Sequence, residues 1–571
     1  MSKYSMHVSK RTTPQSEKAH PDQAENSAGG HSFVLDCWGR LDRFLILGAE
    51  GGTYYIRESK LTKDNVAALD SCVAKDHIRA IKTIVDISVD GRAAKPAPCI
   101  FALAYLAGHS DVAVRQLALE AVPVVCRTAS QLFQFLADVK EFRGWGKTLR
   151  NAVSAWYLAK DPRALAYQIT KYRQREGESH ADTLRRAHTK AEDADIREVL
   201  AYAANKLHNI DDGTNLEEAR AKFYTSVAAG KNLRNWLTDE KPHRQVLAAV
   251  EAAKRATKEQ EIVKLIQDHD LVRECIPTQF LNSKAVWDAL LVKMPMGAMV
   301  RNLGKMSAIG LVSPMSATSN TIVQRLMNQE LIQKARIHPL NVLLALSTYQ
   351  QGHGVRGKLS WAPVPQVCGA LNKTFEMAFK NVEPTNKRWL LGLDVSGSMS
   401  AAIANTHLSC AQAAGAMAMV TARAEAQHYI HGFSHEFVDL TKTHKSRSWS
   451  SRGKSVPGIT ATSTLDAVME AMRAHNFGRT DCALPMMHAL KHKIPVDVFA
   501  VYTDSETWFG EIHPHQALNR YRREMGIDAK LIVVGMAANQ FSIADPHDAG
   551  MLDIVGFDAN APAVMADFAR D

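Results

Sequence analysis

The hydrophobic pattern of this chain changes period once, at Val382-Glu383-Pro384-Thr385-Asn386, and that change constrains the fold more than any other feature. From about Asp36 to Lys380, apolar residues recur at helical spacing (Leu165, Ile169, Tyr172; Val323, Leu326, Leu331) and almost nothing alternates like a strand. The helical patterns run Asp64 to Val85, Asp111 to Phe142, Arg163 to Arg175, Asp193 to Leu207, Gln245 to Ala256, Ser283 to Met306, Thr318 to Arg336 and Pro365 to Lys380. Short connections marked by Pro, Gly, Asp or Asn join them, which predicts an α-solenoid stacked pair by pair. After Asn386, strands and helices alternate. Strands are expected at 389–393, 428–433, 496–502 and 529–535, and helices near 406–425, 464–474, 481–491, 515–525 and 562–570. Strand followed by helix, repeated, means a parallel sheet covered on both faces. The expected divisions are a disordered polar tail at 1–30, a helical series at 31–381 and an α/β domain at 386–571, with an unpacked Ser/Lys/Arg loop at 441–460.

A chain of 571 residues is too long for one core, so two or more domains are required. Eight scattered cysteines, without a Cys-x-x-Cys pair, argue for reduced thiols in a cytoplasm rather than disulfides or a zinc cluster. No apolar run reaches membrane-spanning length, and Met1 to Lys10 is polar and basic, unlike a secretory signal. The net charge of +10 suits a nucleic-acid partner without requiring one.

Chemistry concentrates at two places. Asp394-Val395-Ser396-Gly397-Ser398 follows one expected strand, Thr503-Asp504 ends another, and Thr480-Asp481 lies between them. Ligands of open α/β sheets collect at the carboxyl ends of the strands. Carboxylates and hydroxyls without nitrogen or sulfur make an oxygen donor set suited to Mg2+. This is the pattern of a metal-ion-dependent adhesion site in a von Willebrand A-like domain, where Ser396, Ser398 and Thr480 ligate directly and Asp394 and Asp504 bind directly or through water. A lone Asp-x-Ser-x-Ser also suits an ordinary turn, so the weight lies on three pieces in order. The second place is Lys140 to Lys190, where basic residues outnumber acidic ones about two to one and Trp145, Trp156, Tyr157, Tyr167 and Tyr172 are interleaved. Lys171 and Arg175, four apart on an expected helix, share a face, and Arg185 and His188 project together from the next. Such a face neutralises phosphates, or it is merely solvated, with Glu176, Glu178 and Asp182 as partners.

The chain after its tail resembles the Ro autoantigen (TROVE) family. The matching stretches are Arg43 to Tyr55, Arg301 to Met306, Lys334 to Pro339, Gly352 to Leu359, Asp394 to Met399, Thr480 to Met486, Val498 to Trp508 and Ile543 to Phe557. The resemblance implies a ring of HEAT-like helical repeats closed by a von Willebrand A-like doubly wound α/β domain. It implies Y RNA bound on the outer basic surface and single-stranded ends of misfolded noncoding RNA entering the central hole. It also implies a noncatalytic scaffold in RNA quality control, a monomer, and, from the bacterial look of Asn26 to Gly30, polynucleotide phosphorylase tethered through Y RNA. Laying TKYRQR and RRAH on the family pattern puts its RNA-binding residues at Lys171, Arg175 and His188. The candidate set adds Arg185, Lys147 and Arg150.

Other readings stay open. The metal domain could be a Mg2+-dependent protein-adhesion module. A metal-dependent nuclease would want a denser carboxylate cluster than Asp394 and Asp504 provide, and nothing fixes His513 and His515 nearby. Arg479, beside Thr480, would lower cation affinity. The loop with Lys442, Lys445, Arg447, Arg452 and Lys454 around Trp449 is either a basic arm for RNA or partner, or a tolerated insertion. Gly48 to Gly52 lacks the ending of a phosphate loop and is expected to be a tight turn, with Tyr54 and Tyr55 packed.

Overall fold

The computed structural model describes residues 12–49, 56–204, 236–354, 358–379, 383–403, 408–447, 452–475, 478–558 and 560–571. Up to Met377 the described chain is almost wholly helical, each helix packing mainly on those one to three places along. Several long helical patterns are divided by local chemistry. Asp111 to Phe142 becomes Val112–Val125 and Ala129–Val139, because Thr128 and Gln131 form a capping box that starts a new helix. Pro295 divides Ser283 to Met306 into Lys284–Lys293 and Met296–Ala308. Asn328, whose side chain accepts from the Leu331 amide, divides Thr318 to Arg336.

The helical series closes on itself. Arg336 donates to the Val89 carbonyl, and His338 Nε2 lies 2.9 Å from the Arg92 carbonyl, 246 positions earlier. His338 Nδ1 accepts from the Leu340 amide at 3.2 Å, so Nε2 carries the proton and donates. Arg92 in turn pairs with Asp558 at 2.5 Å, so both ends of the series meet the C-terminal domain at one seam.

That domain carries a six-stranded sheet of order β13-β11-β10-β5-β6-β7. Its strands are β5 (Arg388–Asp394), β6 (Gln427–Phe433), β7 (Phe437–Asp439), β10 (Val498–Thr503), β11 (Lys530–Gly535) and β13 (Met551–Val555). All pairs are parallel except the edge pair β6–β7. The four expected strands are present within two residues; β7 and β13 are additions, since short edge strands carry little periodic signal. Counted along the chain, strand order reverses between β5 and β10, the crevice where doubly wound sheets hold ligands.

Two expectations about disorder are corrected. Residues 12–30 are folded: β1 (Gln23–Glu25) pairs with β2 (His31–Val34), which pairs with β12 (Phe541–Ser542). The segment reads as polar because its contacts are hydrogen bonds to the C-terminal domain rather than an apolar face of its own. The 441–460 loop is packed at its base, where β8 (His444–Lys445) pairs with β9 (Ser455–Val456) and Ser446, Val456 and Ile459 are buried. Trp449 lies outside the described residues, as do Glu50 to Tyr55. Helix Cys37–Leu47 bridges the two parts: Arg43, fully buried, donates from one nitrogen to both Asp553 oxygens at 2.8 Å and from the other to the Phe541 carbonyl at 2.9 Å.

Candidate metal centre and nucleic-acid interface

At the switch point, β5 delivers Asp394 and β10 delivers Thr503 and Asp504. Asp394 Oδ1 accepts from the Ser396 amide at 2.9 Å, and Asp504 Oδ1 from the Glu506 amide at 3.0 Å, so each acid closes its own turn. The first turn places the Ser396 and Ser398 hydroxyls 3.1 Å apart. Thr503 donates to Asp394 Oδ2 at 2.6 Å, aiming that carboxylate. Ser505 sits at φ +61°, a conformation uncommon outside glycine, which turns the second loop sharply back. Thr480 is brought to the same loop through its carbonyl, which accepts from the Thr507 hydroxyl at 3.3 Å and the Phe509 amide at 3.0 Å. All five expected ligands are buried: Asp394, Ser396, Ser398, Thr480 and Asp504.

Burial pushes Asp394 up to about 7, with Asp504 adding to the effect, and raises Asp504 too. Two more acids lie on the same loops, buried Glu506 beside Asp504 and half-buried Asp481 next to Thr480. Glu506 is pushed to about 8 by burial and then by Asp504, and Asp481 to about 7 by burial. Among the described residues none of the four has a Lys or Arg ion-pair partner. Buried carboxyls and hydroxyls without a Lys or Arg ion pair make an oxygen donor set that fits a hard divalent cation. The readable hint for Glu506 was an acid two places beyond a strand-end Asp; nothing in sequence spacing distinguishes it from a surface acid.

The N-terminal segment lies over this pocket. Gln15 donates to Asp481 at 2.6 Å and accepts from Thr507; Asn26 donates to the Thr507 carbonyl at 2.6 Å; the Ser27 amide donates to Glu506 at 2.9 Å. His513 and His515 serve this segment rather than the metal ligands. His513 contacts the Glu17 carbonyl at 2.8 Å, and His515 packs edge-on against Phe33. Arg479 lies over the Trp508 and Phe509 rings, exposed.

The basic candidates stand on four successive elements: helices Lys147–Leu158, Pro162–Lys171 and His180–Ala187, and a hairpin of β3 (Gln174–Arg175) and β4 (Glu178–Ser179). The expected helix to Arg175 stops at Lys171, so Lys171 and Arg175 do not share a helical face. The reason is the turn: Glu176 and Gly177 both take positive φ, +51° and +72°, which closes a two-residue hairpin and makes 174–175 a strand. Arg185 is exposed on the third helix, and His188 caps it in the left-handed conformation. Lys147 opens its helix and is exposed, whereas Arg150 is half-buried.

The solvated-face alternative is partly realised. Arg175 meets Glu176 at 3.3 Å, Arg185 meets Asp182 at 3.2 Å, and buried Glu178 takes both Arg186 and Lys140. Among the described residues, Lys147 and Lys171 have no carboxylate partner. Arg186 lies over Trp145 at 4.9 Å, and Trp145 with Arg115, Arg143 and Thr148 lines a cleft of about 490 Å³ beside Lys147. Arg115 belongs to a different helix, so no local window of sequence could group it with these residues.

Comparison with known proteins now settles the kinship. Residues 24–348 match the TROVE domain, more than half the chain, and residues 388–569 match the Ro60 vWA domain. The chain belongs to the TROVE (Ro60) family. It is 37% identical to the RNA-binding protein RO60 of Caenorhabditis elegans, covering 98% of this chain and 92% of that protein. It is 36% identical to the RNA-binding protein RO60 of Deinococcus radiodurans, covering 98% and 97%. The crystal structure of the Deinococcus radiodurans RO (RSR) protein superposes with a TM-score of 0.66 over 94% of this chain and 99% of that one. The fold is therefore the HEAT-like helical ring with a C-terminal von Willebrand A-like domain. No helix among the described residues is long and apolar enough to cross a membrane.

Proposed function

We propose that the chain is a noncatalytic RNA-binding ring. It holds Y RNA on the outer basic face and takes single-stranded ends of misfolded noncoding RNA through the central hole. It acts as a cytoplasmic monomer that scaffolds RNA quality control and decay, with polynucleotide phosphorylase reached through Y RNA. The observation that carries this reading is the run of basic side chains on successive elements, with Lys147, Arg175 and Arg185 exposed and Arg186 lying over Trp145, in a chain whose relatives are named for RNA binding. Lys171, Lys147, Arg175 and Arg185 reach phosphates; Arg150 and His188 border them.

In this reading Asp394, Ser396, Ser398, Thr480 and Asp504 hold Mg2+, which neutralises the buried carboxylates and ties together the loops at the switch point. Burial of all five ligands favours a structural cation over an adhesion site, because a partner carboxylate would find no exposed ligand position to approach. The nuclease alternative loses its nearby base, since His513 and His515 are engaged with that same segment.

The test is Lys171→Ala combined with Arg175→Ala. Arg175 is exposed and Lys171 is half-buried without a carboxylate partner among the described residues, so the fold should be unchanged by melting. In gel shifts with Y RNA the slope of log affinity against log salt should become shallower by about two. Unchanged affinity and slope would place the RNA elsewhere.

A further inference from the structure

Among the described residues two groups of acids and histidines have ligand atoms clustered tightly enough for one ion: Asp195 with Glu198 and His243, and His20 with Asp22 and His547. The first is already neutralised. Lys241 reaches Asp195 at 2.5 Å, and Arg244 reaches Glu198 at 2.9 Å, so a metal would meet two resident cations. The second has no Lys or Arg ion pair among the described residues.

His20 and Asp22 lie on the turn before β1, and His547 lies on the turn between β12 and β13, 525 positions from Asp22. Asp22 Oδ2 stands 2.6 Å from His547 Nε2 and 3.7 Å from His20 Nδ1, and the three ligand atoms lie within 4.8 Å of one another. Independent contacts hold each piece. The His20 ring packs beside Phe33, 5.5 Å between centroids, and Gln23 meets His513 at 3.3 Å. The Asp545 side chain accepts from the His547 amide at 2.9 Å and fixes that turn. The ligands are thus presented by backbone that the cluster itself does not have to order.

We propose that His20, Asp22 and His547 form a Zn2+ site that joins the N-terminal segment to the C-terminal domain. Two imidazoles and one carboxylate are the donor set of an open tetrahedral zinc centre, with water in the fourth position. Imidazole nitrogen selects this site against Mg2+, whereas the all-oxygen pocket at Asp394 selects the reverse. The ion would replace the Asp22–His547 hydrogen bond and the long 3.2 Å contact that His20 Nδ1 accepts from the Asp22 amide. Because the ligands come from opposite ends of the chain, occupancy pins the segment that covers the Asp481–Glu506 pocket.

The experiment is equilibrium dialysis of the full chain, carrying no polyhistidine tag, against Zn2+ in millimolar Mg2+. One Zn2+ per chain is expected for the unaltered protein. His20→Ala and His547→Ala should each weaken it by at least the ~10–100-fold that loss of an outer-sphere partner costs a metal site. His353→Ala, an exposed histidine elsewhere, should retain it. Both ligand positions are solvent-accessible, and melting in chelator confirms that the variants fold. Absence of a stoichiometric ion in the unaltered chain, or retention equal in His547→Ala and His353→Ala, overturns the proposal. Loss on His243→Ala instead would assign the ion to the other cluster and overturn it equally.

Discussion

The basic face of the helical ring and the acidic pocket of the C-terminal domain hold charge in opposite ways. On the ring, Lys147, Arg175 and Arg185 stand in solvent, and their carboxylate neighbours Glu176 and Asp182 are at the surface too. Such pairs are worth little to stability and leave the cations available to a polyanion. In the pocket, Asp394 and Asp504 are buried, and a segment from the far end of the chain bonds to Asp481 and Glu506 of the adjoining loops. Charge there is costly unless compensated, so the surroundings are committed to it: amides at the Oδ1 atoms, Thr503 on Asp394, Asn539 on Glu506. The difference teaches where substitution is tolerated. The exposed face can lose residues without the fold responding, whereas the buried pocket cannot.

Salt should separate the two regions most strongly. If Lys147, Lys171, Arg175 and Arg185 each neutralise one phosphate, RNA affinity falls roughly 10²-fold between about 50 and 200 mM salt. Stabilisation by Mg2+, measured as the melting shift on adding the ion, should change little over that range, because buried pairs are poorly screened. A Mg2+ effect that collapsed along with RNA affinity would mean the cation acts at the surface, and the contrast would fail.

Acid probes burial at a third place, the seam. His338 is neutral in the fold: burial pushes it down to about 4, while Nε2–H donates to the Arg92 carbonyl and Nδ1 accepts from the Leu340 amide. Its folded value lies below the unfolded one near 6.5, so between the two the unfolded chain binds the extra proton. The contribution of His338 is fully present above about pH 6.5 and is lost as pH falls towards 4, up to ~3 kcal/mol. Melting curves from pH 7.5 to 4.5 should show this slope, reduced in His338→Gln. Equal slopes in the two proteins would remove the seam as the acid-sensitive point.

How much of this was legible beforehand follows from the range over which each signal acts. The strand-end positions of Asp394 and Asp504 were readable because a buried parallel strand is a continuous apolar run and the acid follows directly. Lys171 and Arg175 do not share the helical face expected of them, since the 3.6-residue pattern carries through Tyr172 and hides the Glu176-Gly177 turn. That turn uses a glutamate in a conformation for which Asn or Asp is the usual signal. Residues 12–30 were misread for a different reason. Their order comes from partners such as Thr507, Glu506 and Asp481, more than 450 positions away, and composition records only that they are polar.

That same segment supplies the smallest and most local test of the contrast. Gly30 runs so close to the 507–508 backbone that a Cβ placed on it would lie 2.0 Å from the Thr507 carbonyl oxygen and 2.5 Å from the Trp508 Cα. Both atoms belong to the main chain, so no side chain can swing aside to make room. Gly30→Ala must therefore lift the segment off the pocket or push the 505–508 loop inward against Asp504. Overpacking of this kind costs about 1–3 kcal/mol, read as a lower melting temperature. The Asn26 and Ser27 hydrogen bonds to Thr507 and Glu506 are nearest the substitution, so protease cleavage within residues 12–30 should accelerate, while RNA affinity stays as it was. If affinity dropped along with stability, the covered pocket and the basic face would be coupled through the ring, and their separation would have to be abandoned.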